Sequence, residues 1–335
     1  MLSVLYRQHG KPSQVLEAAQ VADPVPPAHG EVLIRVQARP VHYGDLLGIA
    51  GHYRSNGDLT VPEGGNRVGF EGFGVVEAVG EGVALTPGTR VAFFPGRAAW
   101  SELAIVSAAY VTPIPDSIAD DVAAQLHVNP LTAALLWRAV QQAGAIPGQH
   151  TVVLTAAGSA VSRLTISLLR DAGLDVVALV RSAKGAEELA SLIPGLSVFS
   201  TDSPDWQTRL AAAVADKPVQ AVLDAVGGSL ASDLVKVLTN GGSLISYGDL
   251  SGEPIAVRAL AFSTRNIRIF GVTVGTWGGL PPEQRAEDIA LALRLAEGNP
   301  ALFPVAARYP LTSVREAADH VERPGKAGVV LLTSY

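Results

Sequence analysis

A short run of small residues in the second half of the chain has the position and composition of a phosphate-binding turn. The β-branched and aliphatic run Thr151–Leu154 predicts a strand, and apolar residues at helical spacing over 161–172 predict a helix. The turn between the two consists mostly of small residues, and Gly158, Ser159, Ala160 and Val161 lie at its end and at the helix start. The N–H groups at such a helix start can bind the pyrophosphate of a dinucleotide. The segment therefore predicts a dinucleotide site, and an ordinary α/β crossover is the alternative.

Two positions in this segment depart from the dinucleotide fingerprint, which has glycine there. Ala160 adds a methyl group where the backbone approaches the pyrophosphate, and Ser162 adds a hydroxymethyl group where helix and strand pack closely. Both side chains are small, so we expect binding to survive in weakened form. The alternative is a chain that has lost its cofactor site.

Arg181 ends the second strand of this βαβ unit, where the choice between the two nicotinamide cofactors is made. An acidic residue there would bind the ribose 2′-hydroxyl of NAD, whereas Arg181 with Ser182 and Lys184 suits a 2′-phosphate. The sequence therefore predicts NADPH. The alternative is a solvated basic pair at the start of the next helix.

Three residues that can carry a proton lie close together in the N-terminal part of the chain: His42, Asp45 and Tyr53. A phenol has an ordinary pKa near 10, so Tyr53 is protonated at neutral pH and could act as a general acid. The alternative for Tyr53 is a surface ring with a solvated hydroxyl. His42 and Asp45 could form a polar pair, but two residues do not make a metal site.

The elements that must position these residues fall into two patterns along the chain. Before residue 115, short strands such as 31–39 alternate with Gly- and Pro-rich turns, which is typical of a small antiparallel, barrel-like domain. A helical stretch follows over 120–143, with a break near Asn129-Pro130, and strands then alternate with helices. The predicted fold is α/β, with a doubly wound parallel sheet inserted in a barrel-like, mostly antiparallel β domain.

The composition narrows the classes of function. The chain has 335 residues, no cysteine and a net charge of −6. Disulfides, thiolate chemistry and Cys-ligated zinc are excluded, and nothing in the charge favours nucleic acid or an anionic membrane. Because the N-terminus lacks a signal-peptide pattern and no apolar run reaches 18 residues, the predicted location is cytoplasmic, with a small-molecule acceptor as substrate.

Several stretches, taken in order, resemble the medium-chain dehydrogenase/reductase superfamily. Residues 69–72 (GFEG) are similar to the family's Gly-His-Glu-Gly segment, 87–91 (PGTRV) to its PGDRV turn, and 157–161 (AGSAV) to its Ala-x-x-Gly-Val-Gly turn. Phe70 stands where zinc alcohol dehydrogenases have a histidine ligand, and the chain lacks their cysteines. The resemblance is therefore to the zinc-free branch, with no metal expected.

Within that branch the chain most resembles the 2-enoyl thioester reductases and quinone oxidoreductases. The segments that carry this likeness are Asn129-Pro130-Leu131-Thr132-Ala133, Tyr247-Gly248 after a strand, and Gly51-His52-Tyr53. The resemblance implies a GroES-like catalytic domain at 1–118 plus 300–335 and a Rossmann domain at 119–299. It also implies a cleft between them as the active site, and a homodimer formed through the edge strand predicted at 267–274.

The resemblance further implies roles for individual residues. Tyr53 would supply the proton, and Trp277 and His42 would contact substrate. The residues expected to bind the cofactor are Asn129, Thr132, Gly158, Ser159, Ala160, Val161, Arg181, Ser182, Lys184, Tyr247, Gly248, Val272 and Val274.

The resulting hypothesis is NADPH-dependent reduction of the C=C bond of an activated alkene such as a trans-2-enoyl thioester or a related enone. Hydride would go to Cβ and a proton to Cα. An NADPH:quinone oxidoreductase is the alternative enzyme, and a nucleotide-binding protein without catalysis is the alternative from another class.

Overall fold

A computed structural model describes residues 1–53 and 60–334. The chain divides into two compact units: Met1–Val128 with Leu280–Tyr335, here the first unit, and Asn129–Gly279, the second unit. The domain limits predicted from the sequence, at 118/119 and 299/300, stay a prediction.

The described strands and helices follow one another in chain order. Before the second unit they are β1 (Leu2–Tyr6), α1 (Pro12–Val15), β2 (Leu16–Gln20), β3 (Glu31–Pro40), α2 (Tyr43–Ala50), β4 (Asn66–Arg67), β5 (Gly72–Val79), β6 (Arg90–Phe93), β7 (Leu103–Ser107), β8 (Val111–Pro113) and α3 (Asp120–Ala123). From Val128 they are α4 (Val128–Gln142), β9 (Thr151–Leu154), α5 (Ala160–Asp171), β10 (Asp175–Val180), α6 (Ala183–Leu192), β11 (Ser197–Ser200), α7 (Trp206–Ala213), β12 (Val219–Asp224), α8 (Gly228–Val237), β13 (Leu238–Ser246), α9 (Ala259–Arg265) and β14 (Arg268–Gly271). The chain ends with α10 (Pro282–Gly298), β15 (Val305–Pro310), α11 (Val314–Val321) and β16 (Val329–Thr333).

The first unit is built around a seven-stranded, mostly antiparallel sheet. Its strand order is β15-β16-β3-β5-β6-β8, with β7 also paired to β3, and a smaller sheet has the order β2-β1-β4. Along β3, Val32, Ile34 and Val36 are fully buried while Arg35 between them is exposed, which is the period of two expected of a strand with one apolar face. The sheet thus confirms the antiparallel part of the predicted fold.

Arg39 near the end of β3 is a fully buried charged residue that donates to several neutral acceptors. Its guanidinium donates to the carbonyl oxygens of Ala99 (3.1 Å) and Ser101 (2.5 Å), and to Ser334 Oγ (2.7 Å). A guanidinium carries five N–H donors in a fixed plane, so one side chain can satisfy several acceptors at once. Arg39 thereby connects β3 to the 99–101 segment and to the segment after β16.

The second unit contains a six-stranded parallel sheet with the order β11-β10-β9-β12-β13-β14. Val152, Val153 and Leu154 of β9 are all fully buried, as expected where helices cover both faces of a sheet. The order reverses between β9 and β12, and ligands of such sheets bind at the carboxyl ends of the strands beside this switch point. The predicted doubly wound sheet is confirmed.

The structure differs from the sequence-based prediction in several elements. Helix α2 was missed because Gly44 and Gly48 lower its helix propensity. The predicted 120–143 helix breaks over 124–127, ahead of Asn129-Pro130, and the predicted 267–274 strand is shorter, at Arg268–Gly271. None of the described helices is long and apolar enough to cross a membrane.

Candidate functional site

The turn between β9 and α5 has the geometry of an anion-binding helix start. Ser159 is the N-cap residue of α5, and its Oγ accepts a hydrogen bond from the N–H of Ser162 (3.2 Å). The N–H groups of Ala160 and Val161 lie in the first turn, where the helix itself supplies no acceptor. These two groups can receive a phosphate, as predicted for the turn.

Ala156, just after β9, has a positive φ of 46°. L-residues rarely adopt this left-handed conformation, and such strained positions cluster in functional turns. The fingerprint places its glycines further along the chain, so it does not indicate a left-handed conformation at Ala156. The sharp turn out of β9 therefore depends on an alanine.

Ser162 is fully buried, and its hydroxyl is hydrogen-bonded on both sides. Ser159 Oγ donates to Ser162 Oγ over 2.9 Å, and Ser162 Oγ lies 2.8 Å from the hydroxyl of Tyr247, which follows β13. Burial raises the pKa of Tyr247 to about 12, against the smaller opposing effect of the Ser162 hydrogen bond. The extra hydroxymethyl group is therefore accommodated by a specific partner.

Two buried polar residues, Thr155 after β9 and Asp224 at the end of β12, bind each other at the switch point. Thr155 Oγ1 donates to Asp224 Oδ1 (2.7 Å) and accepts from the N–H of Ala225 (2.9 Å). Asp224 Oδ2 accepts from the N–H of Gly227 (2.8 Å). These bonds fix the loop after β12 beside the candidate phosphate turn.

The loop after β13 is fastened to the loop after β12. Leu250 N–H donates to the carbonyl of Ala225 (3.0 Å), and Ser251 N–H donates to that of Val226 (2.9 Å). A Cβ at Gly248 would lie 2.9 Å from the Ala225 carbonyl oxygen, so only glycine fits there. Gly248 thus has a packing role of its own, and its predicted contact with a cofactor stays a prediction.

The basic residues after β10 lie at the same carboxyl edge of the sheet. Arg181 is exposed, and its backbone carbonyl is held by Ser200 Oγ (2.7 Å). The Ser182 side chain caps α6 by accepting from Gly185 N–H (3.2 Å), and Lys184 forms an exposed ion pair with Glu188 at 3.7 Å. The arrangement leaves Arg181 as the residue best placed for a 2′-phosphate, with Ser182 committed to its helix.

Helix α4 begins at Val128, so Asn129 is not its N-cap. The cap comes from Glu71, whose Oε1 accepts from the N–H groups of His127 (2.6 Å) and Val128 (3.0 Å). Asn129 and Thr132 are each more than nine-tenths buried in the first turns of the helix. Glu71 had no predicted role, because its partners are far along the sequence.

Glu71 also binds His42, at the N-terminal end of α2. Its Oε2 lies 2.6 Å from His42 Nε2. Burial lowers the pKa of His42, but the hydrogen bond and charge of Glu71 outweigh it, and the pKa is raised. His42 is therefore held by a buried carboxylate, and its predicted contact with substrate stays a prediction.

Asp45 completes this buried cluster from the first turn of α2. Its Oδ2 accepts from the backbone N–H of His42 (2.9 Å), while Oδ1 is buried without a hydrogen-bond partner. Burial raises the pKa of Asp45 from 3.8 to about 7, although His42 opposes the shift. The predicted polar pair of His42 and Asp45 is present, joined through the backbone.

Tyr53 lies against the glycine face of α2. A Cβ at Gly44 would be 3.2 Å from the Tyr53 hydroxyl, and a Cβ at Gly48 would be 3.7 Å from the ring. The residue is 58% exposed, and its pKa is raised by partial burial and by the charge of Asp45. The phenol is thus protonated at neutral pH and accessible to a ligand.

The remaining predicted site residues follow β13 and β14. Val272 N–H donates to the Ser246 carbonyl (2.8 Å), which continues the edge of the sheet, and Val274 opens a 3₁₀ turn, Val274–Gly279. Trp277 in that turn is 2% exposed. Among the predicted cofactor residues, Ser159 and Tyr247 are connected through the hydroxyl of Ser162.

Two sequence families match this chain. Residues 28–116 match the alcohol dehydrogenase GroES-like domain, and residues 160–294 match the family described as zinc-binding dehydrogenase. The first match lies within the first unit. The second match covers the second unit from α5 onward and extends into α10. The chain belongs to the medium-chain dehydrogenase/reductase superfamily. The fold resemblance inferred from its motifs is confirmed.

Enoyl reductases and quinone reductases are among the proteins that this chain resembles. The chain is 27% identical over 279 residues to the mitochondrial enoyl-[acyl-carrier-protein] reductase of Caenorhabditis elegans, covering 82% of this chain and 78% of that one. A Bacillus thuringiensis protein assigned as an NADPH:quinone reductase is 29% identical, with a TM-score of 0.87 over 100% of this chain and 99% of its own. A mycobacterial protein solved with NADPH is 25% identical, with a TM-score of 0.86 over the whole of both chains.

The residues of this chain do not fit the zinc ion that one family description mentions. The sequence has no cysteine, Phe70 offers no donor atom, and His42 and Glu71 bind each other. Over residues 1–53 and 60–334, no three His, Asp or Glu side chains are grouped so that they could hold a metal ion.

Proposed function

We propose that this member of the superfamily is an NADPH-dependent reductase of activated alkenes, with trans-2-enoyl thioesters as the favoured substrate class. The observation that carries the proposal is the Tyr53 side chain. It is a protonated and accessible phenol that packs against α2, close enough to buried Asp45 to feel its charge. The similarity to enoyl-[acyl-carrier-protein] reductases supports the same assignment.

The second unit contains the residues that would hold the cofactor. The N–H groups of Ala160 and Val161 would receive the pyrophosphate, and exposed Arg181 would pair with the 2′-phosphate. The similarity to a protein solved with NADPH supports this choice. When bound, NADPH supplies the hydride that reduces the β carbon of the alkene.

The protein's own chemical task is then to manage a proton. Reduction at Cβ leaves an enolate, and the Tyr53 hydroxyl would donate a proton to its α carbon. The same hydroxyl could first hydrogen-bond the thioester oxygen, stabilising negative charge as it develops there. A phenol whose pKa is raised stays protonated until the enolate forms.

A quinone oxidoreductase is the second candidate, supported by the similarity to an assigned NADPH:quinone reductase. A quinone takes up protons readily from water, so that reaction would not need Tyr53. A protein that binds a nucleotide without catalysis is the third possibility, motivated by Ala160 and Ser162 in place of glycine.

The test of the proposal is NADPH oxidation by the purified protein with a short trans-2-enoyl-CoA, run in parallel with 1,4-benzoquinone. We expect turnover of the enoyl ester, with NADPH preferred over NADH. Turnover of the quinone alone would favour the second candidate. Tight NADPH binding with no turnover of either acceptor would favour the third.

We also propose a homodimer formed through β14. This strand is at the edge of the parallel sheet, and large apolar side chains are exposed on it and on the preceding helix α9: Ile269, Leu260 and Phe262. An unpaired apolar edge of this kind favours pairing with a second copy. Analytical ultracentrifugation should give twice the 34.7 kDa chain mass, and a monomer at micromolar concentration would contradict the proposal. The cytoplasmic location stays a prediction.

A further inference from the structure

The hydrogen bond between Ser162 and Tyr247 joins two elements that are not neighbours in the sheet. Ser162 is in the first turn of α5, which follows β9, and Tyr247 follows β13. Strand β12 lies between β9 and β13 in the sheet order. The 2.8 Å contact between the two hydroxyls therefore passes across the carboxyl end of β12.

Three hydroxyl groups form one continuous chain at this place. It begins at exposed Ser159, whose Oγ is 2.9 Å from buried Ser162 Oγ, and it ends at Tyr247. Ser159 Oγ also accepts from the Ser162 N–H. The same chain thus fixes the N-cap of α5, whose next two N–H groups form the candidate phosphate site.

We propose that Ser162 and Tyr247 act as a matched pair of positioning residues that sets the geometry of the phosphate-binding turn. The inference rests on the proposed dinucleotide site and adds to it two residues that act through Ser159 and the helix start. In this chain, a hydroxyl-to-hydroxyl bond holds the turn where the fingerprint has a glycine.

The energetic argument concerns what a single replacement leaves behind. A glycine at 162 would remove the acceptor of the Ser159 hydroxyl and one partner of the Tyr247 hydroxyl, and would keep only the backbone N–H that donates to Ser159 Oγ. Either single change breaks the same hydroxyl-to-hydroxyl bond, and a hydrogen-bonding group that loses its partner away from water costs free energy. Restoring the fingerprint glycine should therefore weaken cofactor binding, although by sequence rules alone it should strengthen it.

The experiment measures NADPH dissociation constants by fluorescence titration of the purified protein and its variants. We expect Ser162→Gly and Tyr247→Phe each to weaken binding about tenfold, and the double variant to bind no worse than either single variant, because all three lack the same bond. Ser167→Gly is the matched control, because Ser167 is half-buried on the same helix and its Oγ lies 3.5 Å from Asp171 Oδ2. Its dissociation constant should stay at the wild-type value.

A second ligand distinguishes positioning from general destabilisation. Adenosine 2′-monophosphate carries the 2′-phosphate but no pyrophosphate, so its affinity should be the same in all variants. Thermal unfolding of each variant is recorded alongside.

Three outcomes would overturn the inference. Ser162→Gly could bind NADPH as tightly as the wild type, the double variant could bind worse than either single variant, or the affinity for adenosine 2′-monophosphate could fall in parallel. In each case the wild type binds NADPH, so the proposed function stands. A wild type that does not bind NADPH would refute the proposed function, and the inference with it.

Discussion

Replacing Tyr53 with phenylalanine is expected to slow the reduction of a 2-enoyl-CoA about a hundredfold or more. A positioned general acid typically contributes at least this much to a rate. The variant keeps the aromatic ring that lies on Gly48 and removes only the hydroxyl above Gly44. NADPH binding should be unchanged, because the residues that would hold the cofactor belong to the second unit.

The measurement is kcat and KM for the enoyl ester, together with kcat for 1,4-benzoquinone. Tyr110→Phe is the matched control, since it removes a phenolic hydroxyl while keeping the ring that contacts the Arg285 guanidinium. Gly44→Ala gives an independent check, because its methyl group would be 3.2 Å from the Tyr53 hydroxyl and must displace it. Its effect should disappear when Tyr53 is already phenylalanine.

An unaffected enoyl rate in Tyr53→Phe would remove Tyr53 from the mechanism. An equal loss with the enoyl ester and the quinone would indicate a structural role instead of proton donation. Either result would leave the cofactor proposal standing.

The second large effect is expected at Asp45, where asparagine should stabilise the protein at alkaline pH. The carboxyl is 2% exposed, its pKa is raised by burial to about 7, and one of its oxygens has no hydrogen-bond partner. Asparagine cannot ionise, and its side-chain oxygen can still accept from the His42 N–H. We expect a gain of about 2 to 4 kcal/mol at pH 8 and almost none at pH 4.

The sign follows from where the proton is held. Between pH 4 and 7 the folded protein keeps the Asp45 proton and the unfolded chain loses it, so the free energy of unfolding falls as pH rises. The raised pKa of His42 acts in the same direction, since its contribution is lost as pH rises through the folded value. Asp45→Asn should remove the fall in the free energy of unfolding that Asp45 causes between pH 4 and 7. The fall that His42 causes above about pH 6.5 should remain.

Urea unfolding of the wild type and the variant at pH 4.5, about 6 and about 8 measures this difference. Asp116→Asn is the control, because its side chain is fully exposed and should give the wild-type profile. A variant that loses stability at every pH would show that the Asp45 carboxylate supports the fold in its charged form.

The alternation of apolar runs was enough to predict both sheets and most of the second unit. The β9–α5–β10 unit follows from local pattern alone, because each element carries its own periodicity and turn residues. Helix α2 does not follow from local pattern, because its glycines lower its helix propensity and its start is stabilised by the capping box of His42 and Asp45. The sequence therefore did not indicate that Tyr53 packs against α2.

The candidate site was predictable where it depends on neighbours in sequence and unpredictable where it depends on distant partners. The phosphate turn and Arg181 were predicted from their spacing, and their contact with a cofactor stays a prediction. The cap that Glu71 gives to the residues starting α4, and the Ser162–Tyr247 bond, join positions 56 and 85 residues apart. No local pattern indicates such pairings. In the sequence, Ser162 is therefore only a departure from the fingerprint, whereas in the structure its hydroxyl is hydrogen-bonded to Ser159 and Tyr247.

The hydrogen bonds of Arg39 bear on the order in which the two units can fold during synthesis on the ribosome. Residues 129–279 leave the ribosome before β16, and domains generally fold as units during synthesis. In the sheet of the first unit, in contrast, the end of β3 at Ala38–Pro40 lacks its β16 partner until β16 emerges, although β5 and β7 are already present. Until then Arg39 also lacks two acceptors, Ser334 Oγ and the carbonyl of Leu332. The second unit is therefore free to fold first, and the first unit, which contains Tyr53, is completed last.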